Sequence, residues 1–108
     1  MIRVTVSYPN AGGAKFDLDY YLTRHVPMVE AKLSRHGLTS WTIDQGLSGG
    51  MPGSEAEFRI QAHLIFQSVE AFEAAMASDG AEIMADIPNY TDIQPRIQVS
   101  KVLAQKSA

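Results

Sequence analysis

The sequence predicts an α+β fold in the order β-α-β-β-α-β: a four-stranded antiparallel sheet with two helices on one face. Three observations carry that expectation. Four stretches alternate apolar and polar residues with the period of a strand, two stretches space apolar residues as a helix does, and clusters rich in glycine, proline and serine separate them. Right-handed crossovers in that order leave both helices on the same side of the sheet.

In the first strand Ile2, Val4, Val6 and Tyr8 share one face, and Arg3, Thr5 and Ser7 the other. Pro9 to Gly13 is a turn by composition. Asp17 is placed to cap the first helix, and Phe16 to pack on Tyr21 as a hydrophobic staple. Apolar residues continue at helical spacing through Leu18, Leu22, Val29 and Leu33. Pro27 has no N–H for the Thr23 carbonyl and restricts Val26, which predicts a kink or short break after His25. A second segment then runs to His36, with Gly37 as its left-handed stop. The second strand covers about 38–47 and includes Trp41 and Ile43, and a loop follows to residue 55. In the third strand Phe58, Ile60, Ala62, Leu64 and Phe66 face one way, while Arg59, Gln61, His63 and Ile65 face the other. Ser68 caps a second helix bearing Val69, Phe72 and Met76. The pair Asp79–Gly80 is expected to end or weaken it before a short turn through Ala85. The last strand runs from about Pro95 to Val102, and 106–108 reads as a fraying tail.

At 108 residues the chain is read as one domain, 1–108. A net charge of −3 without any Lys/Arg cluster excludes a phosphate-binding face, so no nucleic-acid partner is expected. The absence of cysteine removes disulfides, thiolate nucleophiles and thiolate metal sites. The opening residues alternate as a strand and hold no continuous apolar run, so a soluble, cytoplasmic protein with no membrane partner is expected. No histidine pair has the i, i+4 spacing of a helix-borne zinc site. The run Gly49-Gly50-Met51-Pro52-Gly53 joins two strands and opens no helix, unlike a dinucleotide loop. With no haem or flavin signal either, neither metal nor cofactor is expected.

The stretch from Phe16 to Met28 is the densest in reactive and aromatic side chains. Tyr21 lies one turn before His25, so the two share a helix face. Free carbonyls near the break favour a charged imidazole, while burial favours the neutral one, a balance that can hold His25 near neutrality as a general acid or base. A packed histidine that satisfies those carbonyls is the competing reading. Tyr20, Tyr21, Met28, Trp41 and Tyr90 are candidates for the wall of a ligand site, although core packing alone accounts for such side chains at these spacings. His63 is the secondary candidate, on the polar side of its strand. His36 is explained by the dipole of the helix it ends.

Phe16-Asp17, then Tyr21, His25 and Pro27, placed after a first strand, resembles the signature of the EthD family, the ethyl tert-butyl ether degradation type. Asn89-Tyr90-Thr91 followed by Ile97-Gln98-Val99-Ser100 is similar to that family's final strand. The resemblance implies a ferredoxin-like fold and a homodimer in which two sheets face each other around a pocket as a dimeric α+β barrel. It fixes no reaction. Three functions follow as alternatives. The first is a cofactor-free isomerase, decarboxylase or monooxygenase of a degradative or tailoring pathway. It holds a small hydrophobic or aromatic molecule between the first helix and the helix-free face of the sheet. There His25 moves a proton and Tyr21 orients it or the substrate. The second is a non-catalytic ligand-binding or accessory protein. The third is a dimerisation module without a cavity. Trp41 favours a covered second face, because a large aromatic is rarely left bare on a strand.

Overall fold

A computed structural model describes residues 1–106; the end expected to fray lies, at 107–108, outside the described residues. Strands β1 (Ile2–Pro9), β2 (Leu38–Gln45), β3 (Phe58–Phe66) and β4 (Arg96–Lys101) form one antiparallel sheet in the order β2-β3-β1-β4. The register follows the alternation. Val4 lies opposite Leu64 on one side and Val99 on the other, and Val6 opposite Ala62 and Ile97, so the apolar positions of neighbouring strands share one face.

The sheet is open, with β2 and β4 as its edges. This corrects the α+β barrel implied by the resemblance: the chain forms a ferredoxin-like layer and not a closed barrel. About eight strands are needed to wrap an interior filled by side chains, and four leave two free edges.

Asp17 caps α1 (Leu18–Tyr20) by accepting from the Tyr20 N–H, and the Phe16 and Tyr21 rings meet edge-on at 5.2 Å. The expected kink is absent. A π turn over Tyr21–His25 replaces it, in which Val26 N–H bonds to the Tyr21 carbonyl five residues back, and α2 (Val26–Leu33) continues the helix. The extra residue places Pro27 in the first turn of α2, where a missing N–H costs nothing. A 3-10 turn over Ser34–His36 and Gly37 at φ 93° then stop the helix.

Helix α3 (Val69–Asp86), capped by the Ser68 hydroxyl, runs unbroken through Asp79–Gly80, contrary to expectation. Asp79 is buried and anchored from outside its own helix, by Arg35 at 3.3 Å and His36 at 3.4 Å. That tether, with Gly80 itself buried against Met76, acts against the penalty of about 1 kcal/mol for a glycine inside a helix. The unbroken helix carries Asp86 out to the π turn.

Both helices cover the same face. Ile2, Val4, Leu64 and Phe66 of the sheet form one core cluster with Leu33, Ala75 and Ile83, and Tyr8 and Ile60 form another with Tyr21, Val26, Tyr90 and Ile93. The helix-free face is polar: His63 lies 3.4 Å from the Thr5 hydroxyl and 3.1 Å from Asp44, and Gln61 donates to Ser7 at 3.0 Å. Trp41 is not on that face, so it gives no reason to cover it. A register shift between Leu38 and Ser40 sets Trp41 opposite Leu64, on the helix side.

Candidate functional site

His25 ends the π turn, buried at 6% exposure, where the far end of α3 meets it. Its Nδ1 lies 2.8 Å from Asp86 Oδ2. Asp86 Oδ1 accepts from the Tyr20 hydroxyl at 2.7 Å and from Asn89 Nδ2 at 2.9 Å. On the other side of the ring, Nε2 is 3.3 Å from the Tyr90 hydroxyl, itself 2.7 Å from that of Tyr8. The Tyr21 ring lies nearly parallel to the imidazole, centroids 5.6 Å apart.

Burial pushes His25 below its ordinary 6.5, and the hydrogen bond and charge of Asp86 pull back only in part. Burial alone would raise Asp86, but hydrogen bonds from Asn89, His25 and Tyr20 hold it below its ordinary 3.8. The pair at neutral pH is therefore a neutral imidazole and a carboxylate. An ionised Asp86 can only accept, so Nδ1 carries the proton and Nε2 presents its lone pair. Tyr90 then donates to Nε2, and Tyr8 to Tyr90. Burial raises Tyr21 and Tyr90 far above the usual phenol range, which keeps both hydroxyls protonated.

His25, Tyr21 and Tyr8 open onto a cleft between the helices and the sheet, with a cavity volume of about 80 Å³. Its walls are apolar, built from side chains such as Val4, Val6, Val26, Leu64 and Ile83. Glu30 and Trp41 stand at the β2 end, the indole N–H donating to the carboxylate at 3.3 Å, and Met84 and Ile97 at the β4 end. The cleft lies inside one chain. The cleft lies on the helix side of the sheet, because the helix face shared by Tyr21 and His25 points inward onto Tyr8.

Of the predicted residues, the structure brings His25, Tyr21 and Trp41 to the cleft and sets Tyr90 directly behind the imidazole, ring centroids 4.7 Å apart. Tyr20 lies one layer further out, stacked on Tyr90 and bonded to Asp86. Met28 packs beside the larger core cluster and lines a shallow outer depression with Tyr20 and Arg24. His63 is on the other face of the sheet, apart from His25. Sequence reasoning missed Asp86, Asn89 and Tyr8. One signal for Asp86 existed: an acid in the last turn of a helix opposes the dipole, so it is kept for a partner elsewhere. Among the described residues no group of three His, Asp or Glu side chains could hold a metal ion, and no helix is long and apolar enough to cross a membrane.

The EthD domain pattern matches residues 14–94. An EthD-like protein from Ralstonia eutropha JMP134 superposes with a TM-score of 0.90 at 44% identity, over 98% of this chain and 95% of that one. An ethyl tert-butyl ether degradation family protein from Bacillus halodurans C-125 shares 16% identity and a TM-score of 0.65, over 95% and 99% of the two chains. A dimeric ferredoxin-like protein from an uncultured marine organism has the same fold, with a TM-score of 0.65 at 11% identity over 99% and 98%. No curated protein matches. The Phe16, Asp17, Tyr21, His25 and Pro27 pattern, the extent of the domain match and the 44% identity agree: the chain belongs to the EthD family.

Proposed function

We propose that this protein binds a small, uncharged, apolar molecule in the cleft between helices and sheet, and that His25 exchanges a proton with it. The observation that carries the reading is the chain Asp86, His25, Tyr90, Tyr8, anchored by a carboxylate and reaching an apolar cavity. Asp86 fixes the tautomer that leaves Nε2 basic. When Nε2 takes a proton it donates to Tyr90, whose hydroxyl turns toward Tyr8, so both charge states of the ring keep their partners. A base so held contributes about 10²–10⁴-fold. The cavity of about 80 Å³ is smaller than the roughly 150 Å³ in which an apolar cavity holds benzene. A ring must therefore turn aside the exposed side chains at the ends of the cleft, Trp41 and Glu30 or Met84 and Ile97.

Relatives of the same fold are described as dimeric, and we extend that to a homodimer of this chain through its helix-free face, where His63 lies. The lack of cysteine suits a reducing compartment such as the cytoplasm. A non-catalytic binding protein is the second reading, favoured by one fact: both imidazole nitrogens already have protein partners.

The imidazole titration separates the two. His25 is expected to titrate below 6.5 and to shift when toluene, as an apolar probe, enters the cleft, both read by NMR. An imidazole with an ordinary titration, indifferent to the probe, overturns proton transfer. Stability carries the same signature. The folded value is depressed, so the unfolded chain binds this proton more readily. The contribution of His25 is whole above 6.5 and is lost as the pH falls through 6.5 toward the folded value. Asp86 acts lower: its contribution is present above 3.8 and is lost as the pH falls through its own depressed value. Denaturant midpoints across a pH series, for wild type and His25→Gln, check both, and only the first step should vanish in the variant.

A further inference from the structure

Tyr21 is 2% exposed, and its hydroxyl is the one phenol of the site without a hydrogen bond among the described residues. Tyr8 and Tyr90 hold each other, and Tyr20 holds Asp86. Yet no fully enclosed side-chain polar atom lacks a partner, so this hydroxyl is open to the cleft that Tyr21 lines. A buried donor kept for no protein acceptor awaits one from a ligand.

Building on the function proposed above, we infer that the ligand is a neutral, apolar carbonyl compound with an acidic C–H beside its carbonyl, whose oxygen accepts the Tyr21 hydroxyl while its proton passes to His25 Nε2 through the hydroxyls of Tyr8 and Tyr90. The step balances without a co-reactant. The α C–H bond breaks and its proton forms O–H at Tyr8, as the Tyr8 hydroxyl proton moves to Tyr90 and that of Tyr90 to Nε2. The electron pair left on carbon becomes the C=C of an enolate, and the carbonyl π pair moves to oxygen, where Tyr21 donates to it. Returning the proton to a different carbon isomerises the compound; returning it to the same carbon only exchanges it.

Three observations select this class. Tyr8, the cleft end of the chain to the base, and the Tyr21 donor both line the cleft with ring centroids 5.9 Å apart, so one ligand can meet both. Burial leaves the imidazole neutral and the phenol protonated, the states that a base and an oxyanion donor need. No Lys or Arg lines the cleft and its one carboxylate, Glu30, stands at the rim, so an ionised ligand would lose its hydration without compensation. A plain hydrocarbon would leave the Tyr21 donor unpaired.

The test uses acetophenone in D2O, with loss of the methyl proton signal as the readout and toluene as a ring of similar size without a carbonyl. Wild type is expected to speed exchange at least about 10²-fold over buffer. Tyr21→Phe should lower that rate by about 10²–10³-fold, as loss of an oxyanion donor does, while its Tm and its toluene-induced shifts stay as in wild type. His25→Gln should abolish the exchange. Binding of both rings without exchange, or exchange unchanged in Tyr21→Phe, overturns the carbonyl inference and leaves apolar binding standing. Failure of both rings to shift any cleft signal overturns the binding reading beneath it as well.

Discussion

Replacing Asp86 with alanine is expected to lower the stability by about 1–3 kcal/mol and any proton transfer by His25 by about 10²–10⁴-fold. The stability loss comes from one group. Tyr20 and Asn89 can turn to water, but His25 Nδ1 stays buried with no hydrogen-bond partner. The loss of function has a different origin. Without a carboxylate to receive Nδ1–H, the proton moves to Nε2 and donates to Tyr90, so the far end of the Tyr8 and Tyr90 relay is no longer a base. Asp86→Asn separates the effects, since it keeps the shape yet turns an amide toward Nδ1 and imposes the same wrong tautomer. Imidazole nitrogen chemical shifts report the tautomer and denaturant unfolding the stability. An Asp86→Asn protein whose Nδ1 keeps its proton would contradict the assignment.

Tyr90→Ala is expected to have the largest effect on the fold, about 3–5 kcal/mol, the range for deleting a buried aromatic ring. Its ring is fully buried, with Tyr8, Phe16, Tyr20, Tyr21 and His25 all within 6.2 Å between centroids. A chain of this length has about 5–15 kcal/mol in all. Tyr90→Phe keeps the ring and removes only the hydroxyl, leaving Tyr8 and Nε2 each without a partner, at about 1–3 kcal/mol. Urea titrations of both variants check the difference. Equal losses would mean that the hydroxyl pair, and not the ring packing, holds this end of the core.

Local signals were legible where neighbours in sequence settle the structure. The alternation of Phe58 to Phe66 defined β3, the Phe16, Asp17 and Tyr21 spacing defined the cap and its staple, and Gly37 stopped its helix. His25 stood out because the Tyr21 and Pro27 that mark it lie within four residues. Asp86 did not, because it is 61 residues away and reaches His25 only if α3 survives Gly80. There Asp79 pairs with Arg35 and His36, a contact with the residues that end the preceding helix, which no local pattern contains. Trp41 was misplaced for a related reason: a one-residue bulge reverses the face of everything after it, and alternation alone cannot register the extra residue. The cleft on the helix side was not legible because spacing shows which residues face inward, and not how far the helices stand off the sheet.

The π turn is in effect a vernier between two anchors. Before it, Asp17 and Phe16 are tied by backbone bonds to Tyr90 and Thr91; after it, Leu33 is sunk in the larger core cluster. An α-helix advances about 100° per residue. Excising any one residue of 21–25 would therefore re-phase the two halves by that angle and force one anchor, or the pairing of phenol with imidazole, to point away from the interior. Chain length is fixed in this turn, whereas the exposed hairpin tip at 50–53 has slack to lengthen.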